Sequence, residues 1–582
     1  MPIGTENRSQ LVASLVVEEL HRKGLRFAVL CPGSRNTALT ITLVEHGGFQ
    51  LQRAHDERAA AFMALGWARA SGQPALVLTT SGSAVAHLLP AAVEADQDDL
   101  PLLLLCADRP PELRHTGANQ TVEHAGLLAS VLRASLDLPL PDDRRPLDWL
   151  LASVDEAVDR CKGPQAGPVL LNLPFEKPLE PTPSPLEVAC LTGLESWRAN
   201  GQPWRAGGYG APAPNPDASA QLARLLADAR HPVFLLGYTR RHEDALAVAA
   251  LASLLGVPLL VDLLSGLRLD GTQRNLVRHG DLLARLKSPL LERCDAVIQF
   301  GARLVSSALG EFVSQRETRA LACLDPSPRR LDPTHSQALR LCVPAGQAAD
   351  LVGNAFATAG QPDRAWADEL MNADRRIERK LSQECDTLGT GGEVELARLL
   401  ARELPAGHAI WCANSMPVRD MARWAGEGQC RQVLAARGAS GIDGTLASAL
   451  GACQALAGPL TLFCGDLSLL HDLNSLLPVA RSSAPLTILV VNNEGGGIFH
   501  HLPVVANQHF HPWFDTPHDV DIQQVCGAMG LPSWCPTGLS GLRDALAAAW
   551  SSGRPGLVEF RCPPGAAATR QRDLLETLAS LA

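Results

Sequence analysis

Short apolar runs alternating with amphipathic helical stretches constrain this chain more than any other feature. Over residues 1–175 the pattern predicts helices at 9–23, 59–70 and near 84–94, with strands at 27–31, 75–79, 102–106 and 168–173. Strands this uniformly apolar are buried on both faces, and strands separated by helices run parallel. The expectation is an α/β fold with mainly parallel, doubly wound sheets. Residues 174–185 (PFEKPLEPTPSP) then carry five prolines, and 201–216 is rich in glycine and proline, so a linker follows. A second α/β unit runs from about 217 to 344, with strands near 233–236, 258–262, 296–300 and 320–324. The charged helical stretch 365–384 leads into a third unit, 393–582.

The third unit repeats the first. A shift of 385 positions aligns Gly66 with Gly451, Pro74 with Pro459, strand 75–79 with 460–464, and the helix holding Leu88 with that holding Leu473. Helix, strand and helix in register imply a domain duplication rather than a solenoid. Three α/β domains are expected, at 1–186, 187–356 and 357–582. Paired α/β domains bind ligands at the carboxyl ends of their strands.

Charge and composition exclude several functions. The 582 residues carry a net charge of −10, which argues against general nucleic-acid binding. No apolar run approaches the roughly 18 residues of a membrane span, and the polar, soon acidic N-terminus is not a signal or transit peptide. Only five of the 51 basic residues are lysines. GC-rich codons explain most of the arginines, yet an arginine fork also grips carboxylates with two hydrogen bonds. Fifteen cysteines are scattered without a CxxC pair, which predicts reduced, mostly buried thiols and a cytoplasmic protein rather than a zinc or thioredoxin site. The central unit holds no GxGxxG fingerprint, so a Rossmann oxidoreductase lacks support.

The chemistry concentrates in LTLFCGDLSLLHDLNSLL and APLTILVVNNEGGGIF. Strand 460–464 ends in Gly465-Asp466, and strand 486–491 ends in Asn492-Asn493-Glu494 and three glycines. Both turns fall at one edge of a parallel sheet, so Asp466 and Asn493 can converge. A carboxylate, an amide oxygen and a backbone carbonyl from the glycine turn form a hard-oxygen set suited to Mg²⁺ with phosphate, and helix and glycine amides would cradle a diphosphate. A helix cap and an Asn-Gly turn explain either element alone; the pair at this spacing favours the metal.

A Gly-Asp after a strand, with Asn-Asn 27 residues on, resembles the motif of thiamine-diphosphate enzymes. Their domain order, pyrimidine-binding, central and diphosphate-binding, would assign the three units. CPGSRNTAL (31–39), HDERAAAFMALGWARASG (55–72), TTSGSAVAHLLPAAVEA (79–95), ADRPPELRHTGANQ (107–120), NSMPVRD (414–420), RGASGIDG (437–444) and GDLSLLHDLNSL (465–476) are similar to one branch. That branch decarboxylates 2-oxoglutarate and adds the resulting succinyl-semialdehyde carbanion to isochorismate, on the way to menaquinone or phylloquinone. The resemblance covers the outer domains almost throughout and the central one weakly.

The resemblance implies residue roles. Glu57 would be the catalytic glutamate that bonds the aminopyrimidine ring; as a helix-start acid it is also reasonable for the dipole alone. Ile442, in register with Glu57, would prop the bent cofactor. Gly465, Asp466, Leu467, Asn493, Gly495 and Ile498 would bind the cofactor, with Asp466, Asn493 and Gly495 on Mg²⁺ or Mn²⁺. Leu467 departs from the superfamily's usual glycine. For two dicarboxylate substrates, Ser34, Arg35, Arg109, Gln120, Arg303, Ser415, Arg419 and Arg437 are implied. Arg35 and Arg303 would face isochorismate, Ser415 and Arg437 the oxoglutarate tail, and Arg419 either; Ala302 stands where some relatives are basic. A homodimer or dimer of dimers is implied. Two other functions stay open: an acetolactate-synthase-like keto-acid decarboxylase or carboligase, and a non-catalytic metabolite-binding regulator.

Overall fold

The computed structural model describes residues 4, 6–142, 144–209, 217–315, 320–358, 360–386, 391–430 and 432–581. Part of the expected linker, 210–216, lies outside them. Among the described residues the strands form three six-stranded sheets, every pairing parallel. The chain divides into two compact units: Met1–Ala211 with Ala436–Ala457 and His471–Arg481, and Pro212–Ala435 with Gly458–Leu470 and Ser482–Ala582.

In the first unit, β1 (Phe27–Leu30), β2 (Gln50–Arg53), β3 (Ala75–Thr79), β4 (Leu102–Asp108), β5 (Ala134–Asp137) and β6 (Pro168–Pro174) pair in the order β2-β1-β3-β4-β6-β5. β1, β3, β4 and β6 are buried along their whole length. Leu76, Leu78, Leu103 and Leu105 enter one apolar core with helices Arg8–Arg22 and Asp148–Lys162. β2 and β5 are edge strands with alternating or partial exposure, and this weak pattern explains why no run of apolar residues announces them. The expected helix near 84–94 is in fact two, Ser83–Ala86 and Leu89–Gln97. Pro90 has no N–H to donate to the carbonyl of Ala86, so the helix breaks there.

Helices Glu57–Ser71 and Thr445–Leu456 pack in this unit through the two glycines that the repeat aligns. A Cβ on Gly66 would lie 1.9 Å from the Ser448 carbonyl oxygen, and one on Gly451 would lie 1.9 Å from that of Met63. The matched positions are therefore the crossing point of the matched helices.

The second unit holds two sheets. β7 (Pro232–Leu236), β8 (Leu259–Val261), β9 (Leu276–Val277), β10 (Ala296–Phe300), β11 (Ala320–Leu324) and β12 (Leu339–Leu341) run β12-β11-β10-β7-β8-β9. β13 (Ala409–Cys412), β14 (Val433–Leu434), β15 (Leu460–Gly465), β16 (Leu486–Asn492), β17 (Ser533–Trp534) and β18 (Gly556–Arg561) run β14-β13-β15-β16-β18-β17. The last order repeats that of the first sheet strand for strand, whereas the central order differs. No helix of the described residues is long and apolar enough to cross a membrane. All fifteen cysteines are free; Cys342 is half-buried, Cys535 exposed and the rest buried.

Candidate active site

The candidate residues follow the carboxyl ends of parallel strands, several of them where strand order reverses, which is where open α/β sheets bind ligands. Two sets arise, one on each unit.

On the second unit, Gly465 ends β15 and Asp466 opens the helix Asp466–His471. The buried Asp466 accepts the Leu467 N–H at 2.6 Å on Oδ1, and on Oδ2 the Gly495 N–H at 3.0 Å. The two expected turns thus meet. His518 Nε2 also lies 3.2 Å from Asp466 Oδ2. Burial pushes the Asp466 carboxyl above its ordinary range, against the opposing pull of the Leu467 amide and His518. Asn493 donates its amide to Glu393 Oε1 at 2.8 Å, which leaves its carbonyl oxygen on the opposite side. Gly495 has φ 155, and a Cβ there would lie 2.3 Å from the Asp515 carbonyl oxygen, so only glycine fits. Asp466, the Asn493 oxygen and the Gly495 carbonyl are hard donors, and a buried carboxylate short of compensating charge suits a divalent cation; the residues fit one. Ile498 is half-buried in the 3₁₀ turn Gly497–His501 that follows.

Ser415 follows β13 at φ 70, an uncommon conformation for a residue with a side chain, and Arg419 Nη1 holds its carbonyl oxygen. Arg303 follows β10 at the point where the central order reverses; its carbonyl oxygen accepts the Tyr238 N–H at 3.1 Å.

On the first unit, Glu57 opens the helix Glu57–Ser71, whose N-cap Asp56 accepts the Arg58 N–H at 2.9 Å. Glu57 is half-buried and lies close enough to Cys31 to add its charge to the burial that pushes that thiol up. Ser34 and Arg35 sit in the turn after β1, Ser34 exposed; Arg35 Nη1 bonds the Phe175 carbonyl at 2.8 Å. Arg109, after β4, bonds the Ser81 hydroxyl and, at 3.4 Å, Gln120 Oε1. Gln120, exposed at φ 58, returns its amide to the Ser81 carbonyl at 2.9 Å. Burial and then the charge of Arg109 lower the Arg35 pKa, and burial lowers that of Arg109. Two guanidiniums that crowd each other, with the single carboxylate of Asp108 opposing both shifts and these hydrogen bonds going to neutral oxygens, form an electropositive pair with bonding capacity for an anion. Arg437 and Ile442 lie on the half-buried loop before the helix Thr445–Leu456.

Sequence reasoning missed Glu393, which orients Asn493, and His518, which touches Asp466. Nothing local marks either one: Glu393 simply opens a helix, and His518 sits in an irregular exposed stretch.

Comparison with known proteins agrees with this architecture. Three family models match in order: the N-terminal TPP binding domain of thiamine pyrophosphate enzymes at 11–127, the middle domain at 189–412, and the C-terminal TPP binding domain at 408–560. The fold is that of a thiamine pyrophosphate enzyme, the pyrophosphate being the diphosphate named above. The 2-succinyl-5-enolpyruvyl-6-hydroxy-3-cyclohexene-1-carboxylate synthases of Salinibacter ruber and Rubrobacter xylanophilus are each 40% identical to the chain, over 95% and 96% of it and 94% and 96% of their own lengths. That of Prosthecochloris aestuarii is 36% identical over 94% of the chain and 93% of its own. The chain belongs to this synthase family.

Proposed function

We propose that the protein catalyses the thiamine-diphosphate-dependent decarboxylation of 2-oxoglutarate and the addition of the resulting four-carbon unit to isochorismate, releasing CO₂, in menaquinone or phylloquinone biosynthesis. Full-length similarity to the synthases supports the reaction, and the observation that carries the substrate class is the Arg35–Arg109 pair. Two half-buried guanidiniums that share one nearby carboxylate, Asp108, and spend their side-chain hydrogen bonds on neutral oxygens keep positive charge to offer a ligand that brings carboxylates. When bound, thiamine diphosphate supplies a nucleophilic carbon and an electron sink for the charge left by CO₂.

The chain's own residues have these tasks. Glu57 would hydrogen-bond the aminopyrimidine and govern its proton, and Ile442 would support the cofactor. Asp466, the Asn493 amide oxygen and the Gly495 carbonyl would hold Mg²⁺ or Mn²⁺, and Gly465, Leu467 and Ile498 would help bind the cofactor. Arg35 and Arg303 face isochorismate, Ser415 and Arg437 the oxoglutarate tail, and Arg419 either, with Ser34, Arg109 and Gln120 completing the substrate site. The enzyme works as a homodimer or dimer of dimers, and a reducing cytoplasm suits its free, mostly buried thiols.

The test is CO₂ release from 2-oxoglutarate by purified protein with thiamine diphosphate and Mg²⁺, with and without isochorismate, with the product weighed by mass spectrometry. Isochorismate-dependent release and a single adduct are expected. Release indifferent to isochorismate, or turnover of pyruvate in place of 2-oxoglutarate, makes the protein another decarboxylase of the class. Bound cofactor without any release makes it a binding protein. Light scattering checks the assembly, and an active monomer overturns that part.

A further inference from the structure

We propose that two buried carboxylates, Glu94 and Asp472, are positioning residues that clamp the loop 437–444 at its two ends and so hold Arg437 and Ile442 in working position. Neither touches substrate or cofactor in this reading; the inference rests on the roles just given to Arg437 and Ile442.

Glu94 lies on helix Leu89–Gln97 and is 3% exposed. Its Oε1 accepts the Gly438 N–H at 2.7 Å, and its Oε2 accepts those of Ala439 at 2.6 Å and Ser440 at 3.2 Å. Three successive amides converge on one carboxylate, a concave arrangement of N–H groups built for an anion, and Ser440 at φ 61 turns the chain just after them. Ala439, Ser440 and Gly441 are themselves exposed, so here a buried acid holds a surface loop.

At the other end, helix Thr445–Leu456 has Gly444 as its N-cap, which offers no side chain to its first amides. Asp472, fully buried, supplies the missing cap from elsewhere in the chain: its Oδ2 accepts the N–H groups of Leu446 at 2.9 Å and Ala447 at 3.1 Å. Its Oδ1 accepts the Ser475 hydroxyl at 2.8 Å and stands 3.7 Å from Arg58 Nη2. Arg58 also bonds the His471 carbonyl at 3.0 Å, and Asp56 Oδ2 accepts from Asn474 at 3.2 Å. The same acid thus ties the far end of the Ile442-bearing loop, where the helix Thr445–Leu456 begins, to the start of the Glu57 helix. Five backbone amides end on two carboxylates, and the residues between them, Ile442 included, are fixed at both sides. Such hydrogen bonds to charge are the strong ones, and they keep a loop in one conformation without contributing an atom to the ligand.

Hydrogen exchange on wild-type protein tests the clamp without any substrate: the amides of 438–440 and 446–447 should be protected although 439–441 face solvent, and Glu94→Ala should release 438–440. Exchange of 438–440 at the rate of the exposed turn at 406–407 overturns the clamp. Kinetics test its purpose. Glu94→Ala and Glu94→Gln should raise KM for 2-oxoglutarate about tenfold or more, with Ala the worse, while affinity for Mg²⁺–thiamine diphosphate stays at the wild-type value. Val158→Ala, in the core far along the chain on helix Asp148–Lys162, controls for lost stability. Wild-type KM in both Glu94 variants, or an equal rise in Val158→Ala, removes the positioning role. Failure of wild type to use 2-oxoglutarate refutes the substrate reading, and the exchange result then judges the clamp by itself.

Discussion

Replacing Gly66 or Gly451 by alanine tests the helix crossing that the duplication predicts. An ordinary contact begins near 3.4 Å, whereas the added methyl would sit 1.9 Å from a carbonyl oxygen in either case, so the helices have to part by about 1.5 Å. Both obstacles are helical backbone and cannot rotate aside. Overpacking of this kind costs about 3 kcal/mol, the upper end of its usual range. Alanine's better helix propensity returns about 1 kcal/mol, leaving a net loss of about 2 kcal/mol. In a cooperative unit of about 150–250 residues that lowers Tm by about 4–8 °C. Gly310, in helix Ser307–Ser314, and Gly527, in helix Ile522–Met529, have open space where the methyl would go. Alanine there should stabilise by about 0.5–1 kcal/mol, which makes these two variants the internal control. The assay is urea denaturation of the four variants beside wild type, with calorimetry for Tm. If Gly66→Ala and Gly451→Ala prove as stable as Gly527→Ala, the close crossing is wrong, and so is the reading of the repeat as two helices in contact. The same shift displaces the helix that Glu57 begins, so turnover should fall further than the stability loss explains.

Three further outcomes are expected. Glu57→Gln should keep cofactor affinity and lose turnover by about two to four orders of magnitude, measured as CO₂ release; near-normal activity removes Glu57 from its role. Asp466→Ala should weaken binding of Mg²⁺–thiamine diphosphate by about 100-fold or more in titration calorimetry, and unchanged affinity ends the metal assignment. The Asp472 carboxyl is pushed up to about 6, burial outweighing the Ala447 amide, the Ser475 hydroxyl and Arg58. A carboxyl that holds its proton more tightly when folded than unfolded costs the fold stability as pH rises from about 4 to 6, by about 3 kcal/mol, and nothing more above that. Asp472→Asn removes this slope, so its stability relative to wild type should improve by about that amount between pH 4 and pH 7; urea midpoints that track each other across the range refute it.

What could be read in advance and what could not divide along a physical line. β3, β10 and β11 end where the apolar runs end, because central parallel strands are buried on both faces and carry an unbroken signal. The edge strands β2 and β12 are partly exposed and carry almost none. In the same way, Asp466 and the Asn493 turn were legible because each follows a strand whose end is visible. Glu94 and Asp472 were not, although both stand within quoted motifs. A carboxylate that serves distant backbone amides has partners with no side-chain identity to match, and for Glu94 they lie 344 to 346 positions away.

The duplication explains why the two sets of candidate residues differ so much in chemistry. The outer sheets share one strand order, and the central sheet, with another, is not a third copy of that pattern. Sharing an order fixes where the carboxyl-end loops emerge but leaves their composition free. In the first copy the loops after β1 and β4 carry Arg35 and Arg109, and in the last copy those after β15 and β16 carry Asp466 and Asn493. One register position holds Glu57 in one copy and Ile442 in the other, an acid against a bulky hydrocarbon. What stayed common is the pair of glycines, Gly66 and Gly451, each the residue that its counterpart's helix needs to be small. Packing requires the two copies to be alike at the crossing. At the strand ends the two copies differ, cations in one and hard oxygen donors in the other, which is the division of labour that the proposed anionic substrate and metal-bound diphosphate would need.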